Sequence, residues 1–390
     1  MTKKTINIAM IGGGFMGKAH SNAWLRVAEF FDVPFRPVLK VVAGSKNNLD
    51  DFADRWGYEE ITYDWRTVLD RDDIDVIDIG SPPYLHKEMV IEAAKAGKHI
   101  VCEKPFSLSY TDAKDMLEAA QKAGVVHYLN HNYRRIPAVV FAKQLIDDGR
   151  IGRIYHWRGA YLQDWVTDPH FPLTWHMRKE LAGGGPLFDL STHAMDLARY
   201  LIGEPSAVSS VNRTFITERP LPGEGAATFS AGSGVDLSRT GPVTVDDASF
   251  SIVEFECGAL GSVETTRLAT GCKNVNTFEI YGSNGSIKFN LEDMNELQFL
   301  DASLPATEQG FRRILVTEDQ HPYLKAWWPT GHIIGYEHTF VNAFRDFLMA
   351  VDGKEPIKPD FHDGVQILRI VEAMRKSGEE QRRVSLSEIE

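Results

Sequence analysis

The sequence predicts an α/β fold, in which an N-terminal Rossmann domain with a parallel sheet precedes a C-terminal α/β domain with an open, mostly antiparallel sheet. An apolar strand near the start runs into closely spaced glycines, strand and helix signals then alternate, and the later segments are mainly strand-like. The 390 residues exceed the usual size of one domain. We therefore expect one domain over residues 1–130 and a second over residues 131–390.

The first motif is the glycine-rich turn after the strand at residues 6–11, which a helix-compatible stretch follows from Lys18. Gly12 allows a tight turn, Gly14 lets the backbone approach a pyrophosphate, and Gly17 lets the helix pack closely on the strand. A plain strand-to-helix loop is the alternative. The placement of strand and helix favours a site for a nicotinamide or flavin dinucleotide.

The next elements repeat this strand and helix order. We predict strands at 38–43, 76–80, 99–102 and 125–129, and helices at 49–56, 85–96 and 111–123. Gly97 and Gly124 end helices before the next strand. The alternation predicts a parallel sheet covered on both faces.

The second half changes character after a linking helix at 138–147. We predict strands at 154–162, 248–255, 261–267, 277–281 and 286–290. The Gly, Ser and Pro-rich stretch 220–242 is interpreted as a surface loop. Helices at 336–349 and 365–375 are expected to pack on the outer face of this second region.

Composition narrows the class of protein and the partners. A formal net charge of -12 without clustered Lys and Arg argues against nucleic acid. Cys102, Cys257 and Cys272 are widely spaced and are interpreted as thiols in a reducing compartment. No apolar run is long enough to span a bilayer, and the N-terminus has no signal-peptide core, so we expect no membrane partner and a cytoplasmic protein.

The ribose preference of the cofactor should be decided at the end of the second strand. An acidic side chain often binds the 2′-hydroxyl of NAD there, but this chain has Gly44, Ser45 and Lys46. Ser45 and Lys46 can bind and neutralise a 2′-phosphate, so NADP is slightly favoured. The alternative is NAD held through main-chain contacts, with Lys46 a solvated charge.

Two further groups of residues are candidates for a catalytic role. Glu103, Lys104 and Pro105 end a buried strand at the edge where open parallel sheets bind ligands, although a strand-ending lysine is often only solvated. Asp189 and His193 are four residues apart in a predicted helix over 187–201, so the carboxylate can orient the imidazole as a general base. The alternative for His193 is an ordinary core histidine.

Taken together, these residues resemble the glucose-fructose oxidoreductase, inositol dehydrogenase and MocA family over nearly the whole chain. The matching segments are the glycine turn, 81–86, 103–105, 132–135, 152–154 and 189–196. Within the family, 14–20, 161–165 and the loop before 245–247 resemble levoglucosan-dehydrogenase-type and inositol-dehydrogenase-type sugar oxidoreductases.

The resemblance implies a substrate site between the domains and a homodimer or homotetramer formed through the C-terminal sheet. It implies that Lys104 binds the reacting hydroxyl, that His193 is the general acid and base, and that Asp189 orients His193. The expected cofactor-binding residues are Gly12, Gly14, Phe15, Met16, Ser45, Lys46, Ser81, Pro82, His86, Glu103 and Lys104.

A sugar pocket is the third expectation, because aromatic faces meet ring CH groups and polar side chains bind hydroxyls. The expected substrate-binding residues are Lys104, Tyr133, Arg134, Gln163, Trp165, His176, Asp189 and His193, with Asp164 nearby. His176 departs from the family, in which arginine commonly follows the tryptophan that Trp175 matches. Without clustered Cys or carboxylate ligands we expect no metal.

These observations predict an NAD(P)-dependent oxidoreductase that interconverts a secondary alcohol and a ketone on a sugar, anhydrosugar or cyclic polyol. Two alternatives stay open. One is an NAD-dependent glycoside-cleaving relative that oxidises its substrate transiently, and the other is a non-catalytic regulator that senses a sugar or the cofactor.

Overall fold

The computed structural model describes residues 3–45, 49–223 and 236–390. These form two compact units. The first consists of the residues up to 135 together with 318–366, and the second of residues 136–317 together with 367–390. The chain therefore enters each unit twice.

The first unit contains a six-stranded sheet in the order β3-β2-β1-β4-β5-β6, and every neighbouring pair is parallel. Its elements up to residue 129 are β1 (Lys4–Ile11), α1 (Phe15–Phe30), β2 (Phe35–Ala43), α2 (Leu49–Trp56), β3 (Glu60–Thr62), β4 (Val76–Ile79), α3 (His86–Lys95), β5 (His99–Cys102), α4 (Tyr110–Ala123) and β6 (His127–Leu129). The predicted parallel Rossmann sheet is confirmed. Because β1 lies between β2 and β4, the strand order reverses there, which is where such sheets bind ligands.

Local sequence signals explain these boundaries. Ile8, Ala9 and Met10 are completely buried, as expected for a strand covered on both faces. At the start of α4 the Ser109 side chain accepts a hydrogen bond from a backbone N–H of the first turn, and the helix ends at Gly124 with a left-handed φ of 67°.

The second unit contains a nine-stranded sheet in the order β16-β15-β14-β13-β7-β12-β11-β8-β17. Its elements are α5 (Pro137–Asp147), β7 (Ile154–Leu162), α6 (Lys179–Ala182), α7 (Pro186–Asp189), α8 (Ser191–Leu201), β8 (Pro205–Arg213), β9 (Glu218–Leu221), β10 (Asp236–Pro242), β11 (Ala248–Phe255), β12 (Leu260–Thr266), β13 (Val275–Gly282), β14 (Gly285–Asn290), β15 (Glu296–Asp301) and β16 (Arg312–Leu315), with β17 (Val384–Ser385) joining from the C-terminus. Only β7 and β12 pair in parallel among the pairs of this sheet in the described residues. The predicted mostly antiparallel sheet is confirmed.

The stretch 220–242 corrects one prediction. Both of its ends are strands, since β9 and β10 pair in an antiparallel two-stranded sheet, while residues 224–235 lie outside the described part. Arg219 fastens β9 to the backbone of residues 166–168. Its side chain is 1% exposed and donates to the backbone carbonyls of Val166 at 2.6 Å and Asp168 at 2.8 Å.

The two late helices are α9 (Tyr336–Val351) and α10 (Phe361–Glu380), and the structure corrects the prediction of where the first of them packs. The expectation that the stretch 336–349 packs on the second region is wrong, because α9 packs on α1 of the first unit. The rings of Trp24 and Phe344 are 4.0 Å apart, and both side chains are almost completely buried. The later part of α10 does lie in the second unit, where the Ser377 hydroxyl oxygen accepts a bond from the Ser210 amide at 2.8 Å.

Within the described ranges, no helix has both the length and the apolar character required to cross a membrane.

Candidate active site

The glycine turn between β1 and α1 has the geometry that its spacing predicts. Gly12 has a φ of +115°, and its amide donates to Ala43 O at 2.8 Å. A Cβ at Gly17 would lie only 2.1 Å from Gly12 O, so α1 approaches the strand closely at this point. A Cβ at Gly14, the N-cap residue of α1, would meet nothing within 4 Å. The turn therefore leaves open space in front of the helix N-terminus, next to Phe15 and Met16.

A cavity of about 510 Å³ adjoins this turn and lies within the first unit. Its lining includes Gly14, Lys18, Ser45, Asp51 and Arg55. The open backbone at Gly14 and the polar lining fit the pyrophosphate and ribose of a dinucleotide. Ser45 was predicted here, whereas Lys46 lies outside the described residues. Lys18, Asp51 and Arg55 were missed, since their inclusion depends on how α2 packs beside α1.

The ends of β4 and β5 hold the next predicted residues. His86 is completely buried, with Nε2 2.8 Å from Ser81 O and Nδ1 3.0 Å from Pro105 O. Burial lowers the pKa of His86. The imidazole thus links the turns that carry Ser81 and Lys104, while Pro82 follows Ser81 as the residue before a short 3₁₀ turn. Direct cofactor contacts by His86, Ser81 and Pro82 stay predictions.

Glu103 and Lys104 follow β5, and the two side chains differ in exposure. Glu103 is only 3% exposed, and its Oε2 accepts a bond from the Lys104 backbone amide at 3.1 Å. Lys104 is half-buried. The strand end therefore buries its acid and leaves its base more accessible.

Tyr133 and Arg134 belong to the first unit, in a 3₁₀ turn over Asn132–Arg135. The Tyr133 ring lies 6.4 Å from that of Tyr336, and the Arg134 guanidinium lies 3.6 Å from Asp363. Both side chains are about 5% exposed. Their packing on the segment 318–366 is established, and their predicted contact with substrate stays a prediction.

In the second unit, Asp189 and His193 do not share one continuous helix. α7 ends at Asp189 and α8 begins at Ser191, which corrects the predicted helix over 187–201. The hydroxyls at the junction explain the break, because Ser191 Oγ donates to Pro186 O at 3.4 Å and Thr192 Oγ1 donates to Asp189 O at 3.1 Å. His193 is 5% exposed.

Arg267 is the ionic partner of Asp189 and was missed by the sequence analysis. Its Nη2 donates to Asp189 Oδ2 at 2.6 Å, and its side chain is 3% exposed. The same guanidinium lies 3.4 Å from His176 O and 5.4 Å above the Trp165 ring. One buried cation therefore joins three residues that were predicted separately.

A second set of contacts connects the remaining candidates. Trp165 Nε1 donates to Gln163 at 2.9 Å, and Gln163 Nε2 donates to Asn274 Oδ1 at 2.8 Å. Tyr161 donates to the same Asn274 oxygen at 2.8 Å, and its ring lies 5.7 Å from His193. Tyr161 and Asn274 were also missed as site residues. We call His193, Asp189, Arg267, Trp165, His176, Gln163, Tyr161 and Asn274 the polar-aromatic cluster.

The register of the sheet explains why these residues meet. β7 and β12 run in parallel, and Gln163 N donates to Thr266 O at 2.9 Å. Gln163 and Arg267 therefore follow the carboxyl ends of neighbouring strands. Arg267 was the last residue of the predicted strand 261–267, and a charged side chain at that strand end was the available signal.

His176 and Asp164 lie at two edges of the cluster. The His176 ring stacks on Trp175 at 3.7 Å and meets Trp165 edge-on at 5.4 Å. Asp164 accepts bonds from Lys273 at 2.7 Å and from the Gly271 amide at 3.1 Å. The Lys273 ammonium holds the pKa of Asp164 below its usual value. Asp164 thus anchors the 271–273 turn.

The described parts of the chain hold no group of three or more His, Cys, Asp or Glu arranged for a metal ion. The absence of a metal from the reaction stays a prediction.

Fold and site together define an NAD-binding oxidoreductase of the Rossmann type. Residues 6–131 match the model of the oxidoreductase family with an NAD-binding Rossmann fold, and residues 139–288 match the GFO/IDH/MocA C-terminal domain. Levoglucosan dehydrogenase of Pseudarthrobacter phenanthrenivorans is 44% identical and covers 99% of each chain. This chain therefore belongs to the GFO/IDH/MocA family.

Other similar proteins are also dehydrogenases of sugars or polyols. Myo-inositol 2-dehydrogenase of Thermotoga maritima is 26% identical and covers 98% of this chain and 99% of its own. The structure of levoglucosan dehydrogenase in complex with NADH and levoglucosan has a TM-score of 0.92 at 44% identity and covers 98% of this chain and 100% of its own. The predicted class, an NAD-dependent sugar or polyol oxidoreductase, is confirmed.

Proposed function

We propose that this chain interconverts a secondary alcohol and a ketone on a sugar, anhydrosugar or cyclic polyol by hydride transfer. The polar-aromatic cluster carries the proposal, because it joins His193 and Asp189 to Gln163 and Trp165 through Arg267 and neighbouring residues. It offers an aromatic face for ring CH groups, polar groups for hydroxyls and an imidazole for a proton. The similarity to levoglucosan dehydrogenase makes anhydrosugars the first substrates to test.

Each catalytic candidate has a defined task in this proposal. Lys104 binds the reacting hydroxyl, and its positive charge stabilises the alkoxide that develops during oxidation. His193 accepts the hydroxyl proton in oxidation and returns it in reduction. Asp189, held by Arg267, orients His193. Bound NAD supplies the hydride acceptor and donor.

The choice of dinucleotide is a separate proposal. The lack of a carboxylate at Gly44 and the presence of Lys18 and Arg55 along the cavity support tolerance of NADP, as the sequence predicted. Asp51 lines the same cavity and offers a carboxylate to a free 2′-hydroxyl. Together with the NADH complexes of the relative, this supports NAD as the main cofactor and NADP as a second one. We assign dinucleotide binding to residues 1–130, and substrate binding and oligomerisation to residues 131–390.

The open sheet supports a homodimer or homotetramer. Phe250 pairs with Val211 on the neighbouring strand. Phe250 is 51% exposed, Val211 is 56% exposed, and Ile252 on the same strand as Phe250 is 53% exposed. Such an apolar patch is typical of a protein contact surface. Analytical ultracentrifugation of the wild type and of Phe250→Asp tests this, since a dimer through this face should dissociate in the variant. The cytoplasm stays the predicted compartment, and cell fractionation tests it.

The deciding experiment measures reduction of NAD and NADP, separately, with levoglucosan, other anhydrosugars, aldoses, glycosides and inositols. Lys104→Ala and His193→Asn should each lower kcat by about 100- to 10,000-fold, because general acid–base groups contribute factors of that size. Dinucleotide affinity should change little.

Matched controls are Lys95→Ala and His170→Asn, since both side chains are well exposed on the surface. Wild-type turnover in both test variants would refute the assigned roles. Release of an aglycone without net reduction of cofactor would identify the glycoside-cleaving alternative. Tight binding of sugar and dinucleotide with no turnover would identify a regulator.

A further inference from the structure

A buried ionic network lies beneath the residue pair Glu103 and Lys104. His20 of α1 is completely buried, with Nδ1 2.8 Å from Asp78 Oδ1 and Nε2 2.9 Å from Glu103 Oε1. Trp24, one turn later on α1, donates to the second oxygen of Asp78 at 2.7 Å. Asn130 donates to Glu103 Oε1 at 2.6 Å. We call His20, Asp78, Glu103, Trp24 and Asn130 the His20 network.

The geometry favours a charged imidazole. A neutral imidazole donates through one nitrogen only, but here each nitrogen faces a carboxylate oxygen, and Nε2 also lies 3.0 Å from Asn130 Nδ2. Burial by itself disfavours the cation, yet the carboxylates of Asp78 and Glu103 outweigh it and raise the pKa of His20 to about 10. His20 is therefore an imidazolium ion at neutral pH.

The surroundings of His20 exclude water. The rings of Phe340 and Phe344, on α9, lie 5.5 Å and 5.2 Å from the imidazole. The titratable groups that act on the network from the elements packed around it are Asp78, Glu103, Lys104, Cys102, Tyr58 and Tyr336. Among these, the carboxylates of Asp78 and Glu103 are the groups hydrogen-bonded to the imidazole. In a site this dry the ionic contacts are strong and directional.

The network reaches the candidate catalytic lysine through the backbone. Glu103 uses Oε1 for His20 and Asn130, and uses Oε2 for the backbone amide of Lys104 at 3.1 Å. The carboxylate thus bonds the backbone of Lys104 through one oxygen and the buried imidazole through the other. His20 also holds the pKa of Glu103 below its usual value, so that Glu103 stays an acceptor.

We propose that His20 is a positioning residue for the redox step: as a buried cation it fixes the Glu103 carboxylate, which in turn anchors the backbone of Lys104. The inference rests on the role of Lys104 under the proposed function. It extends the catalytic apparatus to a residue on α1 whose hydrogen-bond partners in the described part of the chain are Asp78, Glu103 and Asn130. A purely structural histidine would support stability without affecting Lys104.

The test uses the double variant His20→Gln/Asp78→Asn in the full-length chain. It removes the cation together with one carboxylate, so the formal charge of the network is unchanged, while Glu103 loses its ionic partner and keeps its contact with Asn130. We expect the backbone amide resonance of Lys104 to shift and kcat to fall by about 10- to 100-fold, the cost of a misplaced catalytic group. The Kd for NADH should stay within about twofold of wild type, because the glycine turn is untouched, and any rise in the KM for sugar should be smaller than the fall in kcat.

The matched control is His99→Gln. His99 begins the same strand β5, its Nδ1 accepts a bond from the Val126 amide at 3.1 Å, and burial lowers its pKa. This variant should move neither the Lys104 resonance nor kcat. In the wild type, NMR of labelled histidine should show both nitrogens of His20 protonated from about pH 6 to pH 9, since its charged form is favoured throughout.

An unmoved Lys104 resonance in the double variant, or a His20 that titrates near its ordinary pKa in the wild type, would overturn the proposal. A variant that does not fold leaves the wild-type titration as an independent test. If Lys104→Ala retains turnover while the Lys104 amide still shifts in the double variant, the anchoring is supported and the proposed catalytic role of Lys104 is wrong.

Discussion

Two glycines in the same turn should respond to alanine in opposite ways. Gly14→Ala is expected to fold as well as wild type but to lose NADH affinity, because the added methyl enters the open space assigned to the pyrophosphate. Gly17→Ala is expected to lose stability, because its methyl would lie 2.1 Å from Gly12 O. The pair separates cofactor binding from packing within one turn.

The magnitudes follow from the geometry. Gly14 has φ −82° and ψ −155°, which alanine adopts without strain, so the substitution does not destabilise the folded backbone. Because alanine makes the unfolded chain stiffer, it adds about 0.4–1 kcal/mol to the free energy of unfolding. At Gly17 the overlap exceeds about 1 Å and forces backbone to move, which costs about 1–3 kcal/mol. For a domain of about 150–250 residues this lowers Tm by about 2–12 °C.

Thermal unfolding and NADH titration measure the two effects on the same samples. Gly14→Ala should keep or slightly raise Tm and weaken NADH binding at least about tenfold, equivalent to about 1.4 kcal/mol. Gly57→Ala is unsuitable as a control because its φ is +77°, whereas Gly310 has open space around it and no left-handed φ. Gly310→Ala should therefore change neither quantity. A Gly14→Ala variant that binds NADH like wild type would refute the assignment of the pyrophosphate site.

Three further outcomes test other parts of the structure. Phe344→Ala should lower the free energy of unfolding by about 3–5 kcal/mol, since the ring is completely buried against Trp24, whereas Phe311→Ala, 39% exposed, should cost far less; equal losses would contradict the packing of α9 on α1. Arg267→Met should lower kcat about 10- to 100-fold by freeing Asp189, with the exposed Arg158→Met as control, and unchanged kinetics would show that Asp189 needs no ionic partner. The pKa of His20 is raised in the folded chain, so the stabilisation that protonated His20 contributes is complete below about pH 6.5 and is lost as pH rises through about 10. The Tm difference between wild type and His20→Gln/Asp78→Asn should therefore narrow between these two pH values. A Tm difference that stays constant would argue against a cationic His20 in the folded state.

Much of the fold was predictable because the signals are local. The strands at 99–102, 154–162 and 248–255 and the helix at 49–56 have the predicted bounds. In each of these segments the apolar residues recur with the spacing of a single strand or helix, and turn residues lie at both ends. This pattern can be recognised without knowing which distant segments pack against it. The glycine turn was equally readable, since spacing and steric demand belong to the same few residues.

The errors share one physical origin, which is packing between segments far apart in sequence. Nothing local in α9 indicates that its aromatic face meets Trp24 rather than the second sheet. The helix break after Asp189 depends on hydroxyls that bond to backbone, in competition with a favourable apolar spacing. The hairpin of β9 and β10 is held by Arg219, whose carbonyl acceptors lie about 50 residues earlier in the chain.

For this protein the sequence by itself determined the Rossmann class, the dinucleotide turn and the residue types of the candidate catalytic set. The tertiary structure alone decided their partners: Arg267 for Asp189, Asn274 for Gln163, and His20 for Glu103. The physical reason is that a residue's chemistry and helical or strand period are encoded within a few positions. Its ionic and hydrogen-bond partners depend on which strand ends lie side by side, and that is fixed only when the sheet forms.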